Sequence, residues 1–436
     1  MHELFIRIDE QLPIFRIGHG ENMVLYTPGY SIRIKGIPCE NLKSVLRNPA
    51  EIKDVNLRSL IINLLAQARD SVNKWESQKG SPFTPECLII HVGCECNFKC
   101  TYCYASIDKT GNRNMRGFPD PIAIKKVAGY ITEQLKSDSP KMVLAFHGAG
   151  EPSYNWDRLT NTLQTIKKIS ELNDVKLFKY IATNGCLDEK QTRWLAENMD
   201  LIGLSCDGPP DIQFTQRGSG RNNHLPVEKI CRIILSTGGR FDFRVTVTPE
   251  TVERLPEIAE YLIEECRAGN IRVEPVYLAG DKGFREEDAE IFFNKFITAR
   301  DLAQKHKTGI SYPGVRIHEL HSTYCDVSRN VIRLTADGKT RNCFCFISDR
   351  EGFITGKYNY SKSKFILKAD IKELKNKAFT IPDDCYNCIN IYHCSRGCPD
   401  FCLFENDYYL YPKLNSFRCR LHQLIAVDYA VAMAVT

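Results

Sequence analysis

Six short apolar runs recur between residues 87 and 278, and they limit what this chain can fold into. They are CLIIHVG (87–93), MVLAFHG (142–148), LFKYIAT (177–183), LIGLSC (201–206), FRVTVT (243–248) and IRVEPVYL (271–278). Each has strand length. Most of the gaps hold helical patterns, such as DRLTNTLQTIKKISEL and EKQTRWLAENM. Alternating strand and helix predicts an α/β fold, a parallel sheet with helices outside that curls into a barrel or part of one. Chemistry in such folds gathers at the C-terminal ends of the strands. A long helical stretch, EEDAEIFFNKFITARDLAQKHKTG, closes the region.

The flanks read differently. MVLYTPGYSIRIKG predicts a hairpin around Pro28-Gly29, and NLRSLIINLLAQARDSVNKWESQ an amphipathic helix from about 56 to 78. KGSPFTP (79–85) reads as a linker. From about 312 cysteines become dense and regular elements short, as in a small domain stapled by metal. The expected units are therefore 1–84, 85–311 and 312–436.

Composition narrows the function classes. The formal charge is +5, with no Lys/Arg block, which argues against nucleic acid. Glu3, Arg7, Asp9 and Glu10 interrupt any signal-peptide run, and LIAVDYAVAMAVT is too short for a bilayer and contains Asp428. A cytoplasmic protein with no membrane contact is expected. Nineteen cysteines in such a chain point to metal or redox chemistry rather than disulfides.

GCECNFKCTYCYAS (93–106) follows the first predicted strand and holds Cys94, Cys96, Cys100 and Cys103. Cys96-x3-Cys100-x2-Cys103 suits an iron–sulfur cube with one iron left open, whereas structural zinc wants four closed ligands. Cys94 is the rival fourth ligand, but it still belongs to the strand end. This CxxxCxxC, with Tyr102 before its last cysteine, resembles the signature of the radical S-adenosylmethionine (SAM) superfamily. The resemblance covers about residues 86–280 and implies a partial (β/α)6 TIM-like barrel. It also implies a 4Fe–4S cluster whose open iron chelates SAM, and a 5′-deoxyadenosyl radical as the reactive species.

Further segments fall at the matching strand ends. HGAGEP (147–152) resembles the family's GGEP, with Ala149 in place of a glycine. By that match Gly150 lets backbone approach the ligand and Glu151 accepts from the SAM amino group. ATNG (182–185), with Asn184, resembles a ribose-side segment. SCDGPPDIQFTQRG (205–218) resembles an S-x-D-G-P segment ending in Arg. That likeness sends Ser205 to the ribose and Arg217 to the SAM carboxylate, while Asp207 either joins them or caps the following turn. The family often has His-Asp inside this segment; Gln213 and Phe214 stand here, so no catalytic base is assigned. His147 reads as a packing residue.

The C-terminal cysteines are equally patterned. Cys325 is followed by twelve residues, Gly338, four residues and Cys343. Then come Cys385-x2-Cys388-x5-Cys394-x3-Cys398 and, later, Cys419. The pattern resembles the SPASM domain, which carries two auxiliary 4Fe–4S clusters, against the alternative of a zinc-ribbon staple. The likeness assigns Cys385, Cys388, Cys394 and Cys419 to an outer cluster. It assigns Cys325, Cys343 and Cys398 to an inner one. Relatives with a full set carry an extra cysteine just before the first; RIHELHSTY has none. Cys345 is the best local candidate for that ligand and Cys402 the second, with an open iron as the alternative. Cys39, Cys87, Cys186, Cys206, Cys231 and Cys266 read as small apolar residues.

A radical SAM barrel joined to SPASM resembles the maturases of ribosomally synthesised peptides. The implied reaction abstracts hydrogen from a precursor peptide and installs an intramolecular thioether or C–C cross-link. The implied partners are that peptide and a low-potential donor, ferredoxin or flavodoxin. The implied cofactors are three 4Fe–4S clusters and SAM. Residues 1–84 would bind the peptide's leader, with the hairpin offering an edge strand. The alternative is an anaerobic sulfatase maturase oxidising Cys or Ser to formylglycine. Those enzymes carry an Asp directly after the cysteine matching Cys343, where this chain has Phe344.

Overall fold

Four short strands open the chain: β1 (Phe5–Arg7), β2 (Phe15–Ile17), β3 (Asn22–Thr27) and β4 (Tyr30–Lys35). They pair antiparallel in sequence order, and β3 and β4 form the expected hairpin. The computed structural model describes residues 4–18, 22–103, 117–135, 137–218, 225–276, 283–321, 329–342, 354–395 and 416–435. A short α1 (Leu42–Arg47) precedes α2 (Val55–Gly80), which starts where Asp54 accepts from the amides of Asn56 and Leu57. Ile61, Leu64, Leu65 and Ala68 of α2 pack with Leu25, Ile32 and Ile34 of the hairpin.

The six predicted runs are realised as β5 (Cys87–Ile90), β6 (Lys141–Phe146), β7 (Lys176–Thr183), β8 (Leu201–Ser205), β9 (Phe241–Val247) and β10 (Asn270–Pro275). They lie side by side in that order, all parallel. Between them run α3 (Pro121–Gln134), α4 (Trp156–Leu172), α5 (Glu189–Asn198), α6 (Pro210–Arg217), α7 (Val227–Ser236) and α8 (Leu255–Glu264). The long α9 (Asp288–Lys305) and a short β11 (Gly309–Ser311), parallel to β10, close the region.

The sheet does not stop at the boundary expected near 311. β12 (Val331–Leu334) pairs parallel with β5, and β13 (Lys339–Arg341), β14 (Ile354–Asn359) and β15 (Lys364–Leu367) continue it antiparallel. A buried edge on β5 would leave backbone polar groups without partners, and β12 satisfies them. The last helices are α10 (Ile371–Ala378) and α11 (Ser416–Ala432). On α11, Phe417 stacks on Phe284 at 4.6 Å, and Asp428 pairs with Arg300 of α9. Among the described residues no helix is long and apolar enough to cross a membrane.

Two N-terminal expectations change. The outer edge of β4 is covered by the chain itself: Arg33 N–H donates to Val435 O at 2.8 Å, and Val435 N–H to Ser31 O at 3.1 Å. At Ser31–Arg33 the edge expected for a peptide strand is therefore already occupied; the sheet's other edge is β1. The N-terminal unit also shares its packing. Phe15, Tyr26 and Trp75 belong to the main core, and Trp75 lies 4.6 Å from the Tyr392 ring and 5.2 Å from Phe379. Deleting residues 1–78 is therefore expected to destabilise the whole chain rather than remove an appendage. Trp75→Ala alone should cost about 3–5 kcal/mol, read as a lower denaturant midpoint; an unchanged midpoint would show that the N-terminal unit is independent after all.

Candidate active site

The loop after β5 carries the three thiols. Cys96, Cys100 and Cys103 border a cavity of about 250 Å³, and Cys94 is not among the residues that line it. None of the four is in a disulfide. Burial pushes the Cys100 thiol up to about 11, with Arg217 pulling the other way. The Cys96 sulfur accepts from the Phe98 amide at 3.4 Å and from Asn184 Nδ2 at 3.5 Å. The loop is tied to α6 as well, since Thr101 N–H donates to Gln216 O at 2.8 Å.

The segment after β6 supports that loop directly. Glu151 N–H donates to Glu95 O at 2.8 Å. A Cβ on Gly150 would stand 2.4 Å from Glu95 O and 2.8 Å from Gly93 O. Gly150 thus lets the cysteine loop, and not only a ligand, come close. Gly150→Ala must push that loop away, and a fall in iron bound per chain is expected; wild-type iron content would contradict it.

Glu151 is 3% exposed. Its Oε1 accepts from Ser153 N and from the hydroxyls of Ser153 and Thr183, and its Oε2 accepts from Asn184 N at 2.7 Å. Burial raises its pKa above the ordinary carboxylate value, and the four donors pull against that. The carboxylate joins the ends of β6 and β7, with acceptor capacity left on Oε2. Asn184 completes the tie by donating to Asn97 Oδ1 at 2.7 Å.

Asp207 does not cap the following turn. It is fully buried and is the hub of the loop after β8. Arg217 donates to it twice, Nε to Oδ2 at 2.8 Å and Nη2 to Oδ1 at 3.0 Å. Tyr102 Oη donates at 2.5 Å, Gln216 Nε2 at 3.0 Å and Thr246 N at 3.0 Å. Burial pulls the Arg217 pKa down; the Asp207 charge and hydrogen bonds, together with Tyr102 and Cys100, hold the guanidinium well above its usual value. Tyr102, Ser205 and Arg217 all line the cavity.

Sequence reasoning missed the far wall. Arg244 and Thr246 on β9, and Arg272 and Glu274 on β10, face the same cavity. The signal was present, because buried parallel strands are usually uniformly apolar and FRVTV and IRVEP are not. His147 also lines the cavity rather than packing beneath it; its Nε2 lies 3.3 Å from Arg244 Nη1. Burial, then Arg244, lowers its pKa well below 6.5, which favours the neutral ring.

The C-terminal thiols fall into two groups. Cys325, Cys343, Cys345, Cys398 and Cys402 lie outside the described residues. Cys385, Cys388, Cys394 and Cys419 lie within them. Burial, then the neighbouring Cys388 and Cys385, pushes the Cys419 thiol up to about 12. His422 Nδ1 lies 3.0 Å from Cys394 Sγ. Of the six cysteines read as apolar, Cys186, Cys206, Cys231 and Cys266 are buried, while Cys39 and Cys87 are partly exposed.

The family model for the radical SAM superfamily matches residues 90–262. The chain carries a radical SAM domain. Among curated proteins, the cysteine-type anaerobic sulfatase-maturating enzyme of Clostridium perfringens is 28% identical over 191 residues, 41% of this chain and 48% of that one. The match spans about half the length of that relative. Among solved structures, native anSMEcpe with bound AdoMet superposes with a TM-score of 0.62 at 18% identity, over 79% of this chain and 96% of that one. SuiB of Streptococcus suis bound to its precursor peptide SuiA gives 0.54 at 15% identity, over 94% and 99%. At those identities the likeness shows the fold, here the α/β partial barrel of radical SAM proteins.

The residues fit the group such a domain holds. A 4Fe–4S cube with an open corner needs three soft thiolates on one loop, and the cavity's first wall provides them. Among the described residues no three such groups converge as a single metal ion requires. A cube spreads its thiolates wider than one tetrahedral ion does.

Proposed function

We propose that this chain is a radical SAM enzyme that cross-links a precursor peptide. The observation that carries the reading is one cavity lined from the ends of all six barrel strands, with three thiols on one wall and charged groups on the other. A bound cluster and SAM would supply a 5′-deoxyadenosyl radical there. Cys96, Cys100 and Cys103 hold the cluster. Glu151 Oε2 accepts from the SAM amino group while its Oε1 keeps the scaffold together. Arg217, fixed by Asp207, and Ser205 and Asn184 orient the carboxylate and ribose. Tyr102 closes the loop side by bonding to Asp207. Arg244, Arg272 and Glu274 face the substrate.

Peptide substrates are supported by SuiB with its precursor peptide and by anSMEcpe with the Cp18Cys peptide. The C-terminal cysteine pattern supports two auxiliary clusters, three in all, with an electron drawn from a ferredoxin or flavodoxin in the cytoplasm. Phe344 in place of an acid weighs against formylglycine formation.

The test uses anaerobically purified protein, which should carry about twelve irons per chain and cleave SAM when reduced. A peptide encoded beside this gene should then lose only hydrogens. Loss of sulfur would favour the sulfatase-maturase reading, and zinc without iron would refute both.

A further inference from the structure

Helix α11 does more than supply Cys419. His422 and Gln423 lie three and four residues further on, so they share its face. His422 is 2% exposed and is held at both ring nitrogens. Nδ1 lies 3.0 Å from Cys394 Sγ, and Nε2 lies 2.7 Å from the hydroxyl of Tyr312, itself 3% exposed. Gly314 makes room for the pair: a Cβ there would stand 2.6 Å from His422 Nε2 and 2.6 Å from the Tyr312 ring.

Once Cys394 is a thiolate, one proton arrangement satisfies all three groups. A thiolate only accepts, so Nδ1 carries the ring proton and donates to sulfur. Nε2 is then the lone pair, and Tyr312 donates to it. The chain Tyr312 to His422 to Cys394 delivers one N–H dipole to a ligand sulfur.

We propose that His422, oriented by Tyr312, sets the reduction potential of the cluster held by Cys385, Cys388, Cys394 and Cys419. The inference rests on the proposed assignment of those four cysteines. Reduction adds one negative charge to the cluster. An N–H pointed at its thiolate stabilises the reduced form more than the oxidised form, which raises the potential. In this proposal His422 is a positioning residue, acting through the Cys394 sulfur it contacts. Tyr312 acts one step further back. Without its hydroxyl the ring is free to carry its proton on Nε2, which turns a lone pair toward the sulfur.

The experiment is a redox titration followed by electron paramagnetic resonance on the full chain, anaerobic and reconstituted. A Cys96→Ala/Cys100→Ala/Cys103→Ala background leaves only the auxiliary clusters. His422→Leu should shift one cluster's reduced-to-oxidised ratio about tenfold toward oxidised at a fixed potential, which is ~60 mV for one electron. Tyr312→Phe should shift the same cluster in the same direction without touching sulfur. His422→Asn, whose amide nitrogen can take the place of Nδ1, should restore most of the potential. Iron content per chain should stay constant across the three. Unchanged potentials in both His422→Leu and Tyr312→Phe overturn the proposal. So does a strong nitrogen coupling in pulsed spectra that disappears with His422, because the imidazole would then be an iron ligand. If Cys394→Ala leaves iron content unchanged, the cluster assignment fails and takes the inference with it. Should His422→Leu fail to fold, Tyr312→Phe still decides.

Discussion

Replacing Cys96, Cys100 and Cys103 together by alanine is expected to abolish SAM cleavage, with no 5′-deoxyadenosine above background. It should also remove about four of the twelve irons expected. Among the described residues these three sulfurs are the thiols that line the cavity. Their loop gains order from contacts with the ends of β6 and β7 and with α6, so the fold around it should persist without iron. Circular dichroism of the triple variant should therefore match wild type while its iron-dependent absorption falls by about a third. Cys94→Ala is the matched control. Its side chain does not line the cavity, and iron content and SAM cleavage should stay at wild-type levels. If Cys94→Ala loses the cluster and one of the other three does not, the ligand set is misassigned. If the triple variant still cleaves SAM, the proposed function is wrong at its root.

What could be read from the sequence was what local rules write into it. The six barrel strands were legible because each is a short β-branched, apolar run bounded by turn residues. The thiols were legible because a metal cluster needs fixed spacings. Asp207 was ambiguous, because two of its four partners come from far along the chain. Tyr102 is 105 residues before it and Thr246 is 39 after it. Nothing near DGP distinguishes a turn cap from an ion-pair hub. The extension of the sheet through β12 was hidden for the same reason: four residues at 331–334 pair with strand 87–90. From the sequence, Gly150 offers only backbone freedom toward a ligand. Its nearest neighbours are carbonyls of the cysteine loop, a crowding visible only once two strand ends meet.

Asp207→Asn should produce the largest loss of stability of any single change near the cavity, about 3–5 kcal/mol. The carboxylate accepts two hydrogen bonds from Arg217 and one each from Tyr102, Gln216 and Thr246, and it is fully buried. The amide keeps one acceptor oxygen but turns its NH2 group toward donors. Arg217, 7% exposed, is left with its charge uncompensated. A surface pair could be broken at a cost near ~0–1 kcal/mol, because water replaces the lost partner. Here both side chains are buried, and the desolvation cost of the guanidinium loses the carboxylate that offsets it. The damage reaches the cavity, since Arg217 and Tyr102 both line it and both are aimed by Asp207. SAM affinity should fall roughly tenfold or more, a loss of ~1.4 kcal/mol or above. Two comparisons separate charge from shape. Tyr102→Phe removes one hydrogen bond and should cost only about 1–2 kcal/mol. The double change Asp207→Leu/Arg217→Met removes both charges. It should unfold at higher denaturant than Asp207→Asn although it discards more hydrogen bonds, because no buried charge is stranded. A double variant less stable than Asp207→Asn would mean that the hydrogen bonds, and not the charge pair, hold this loop. An Asp207→Asn protein within ~1 kcal/mol of wild type would mean that Arg217 finds another partner, and the hub would lose its role in shaping the site.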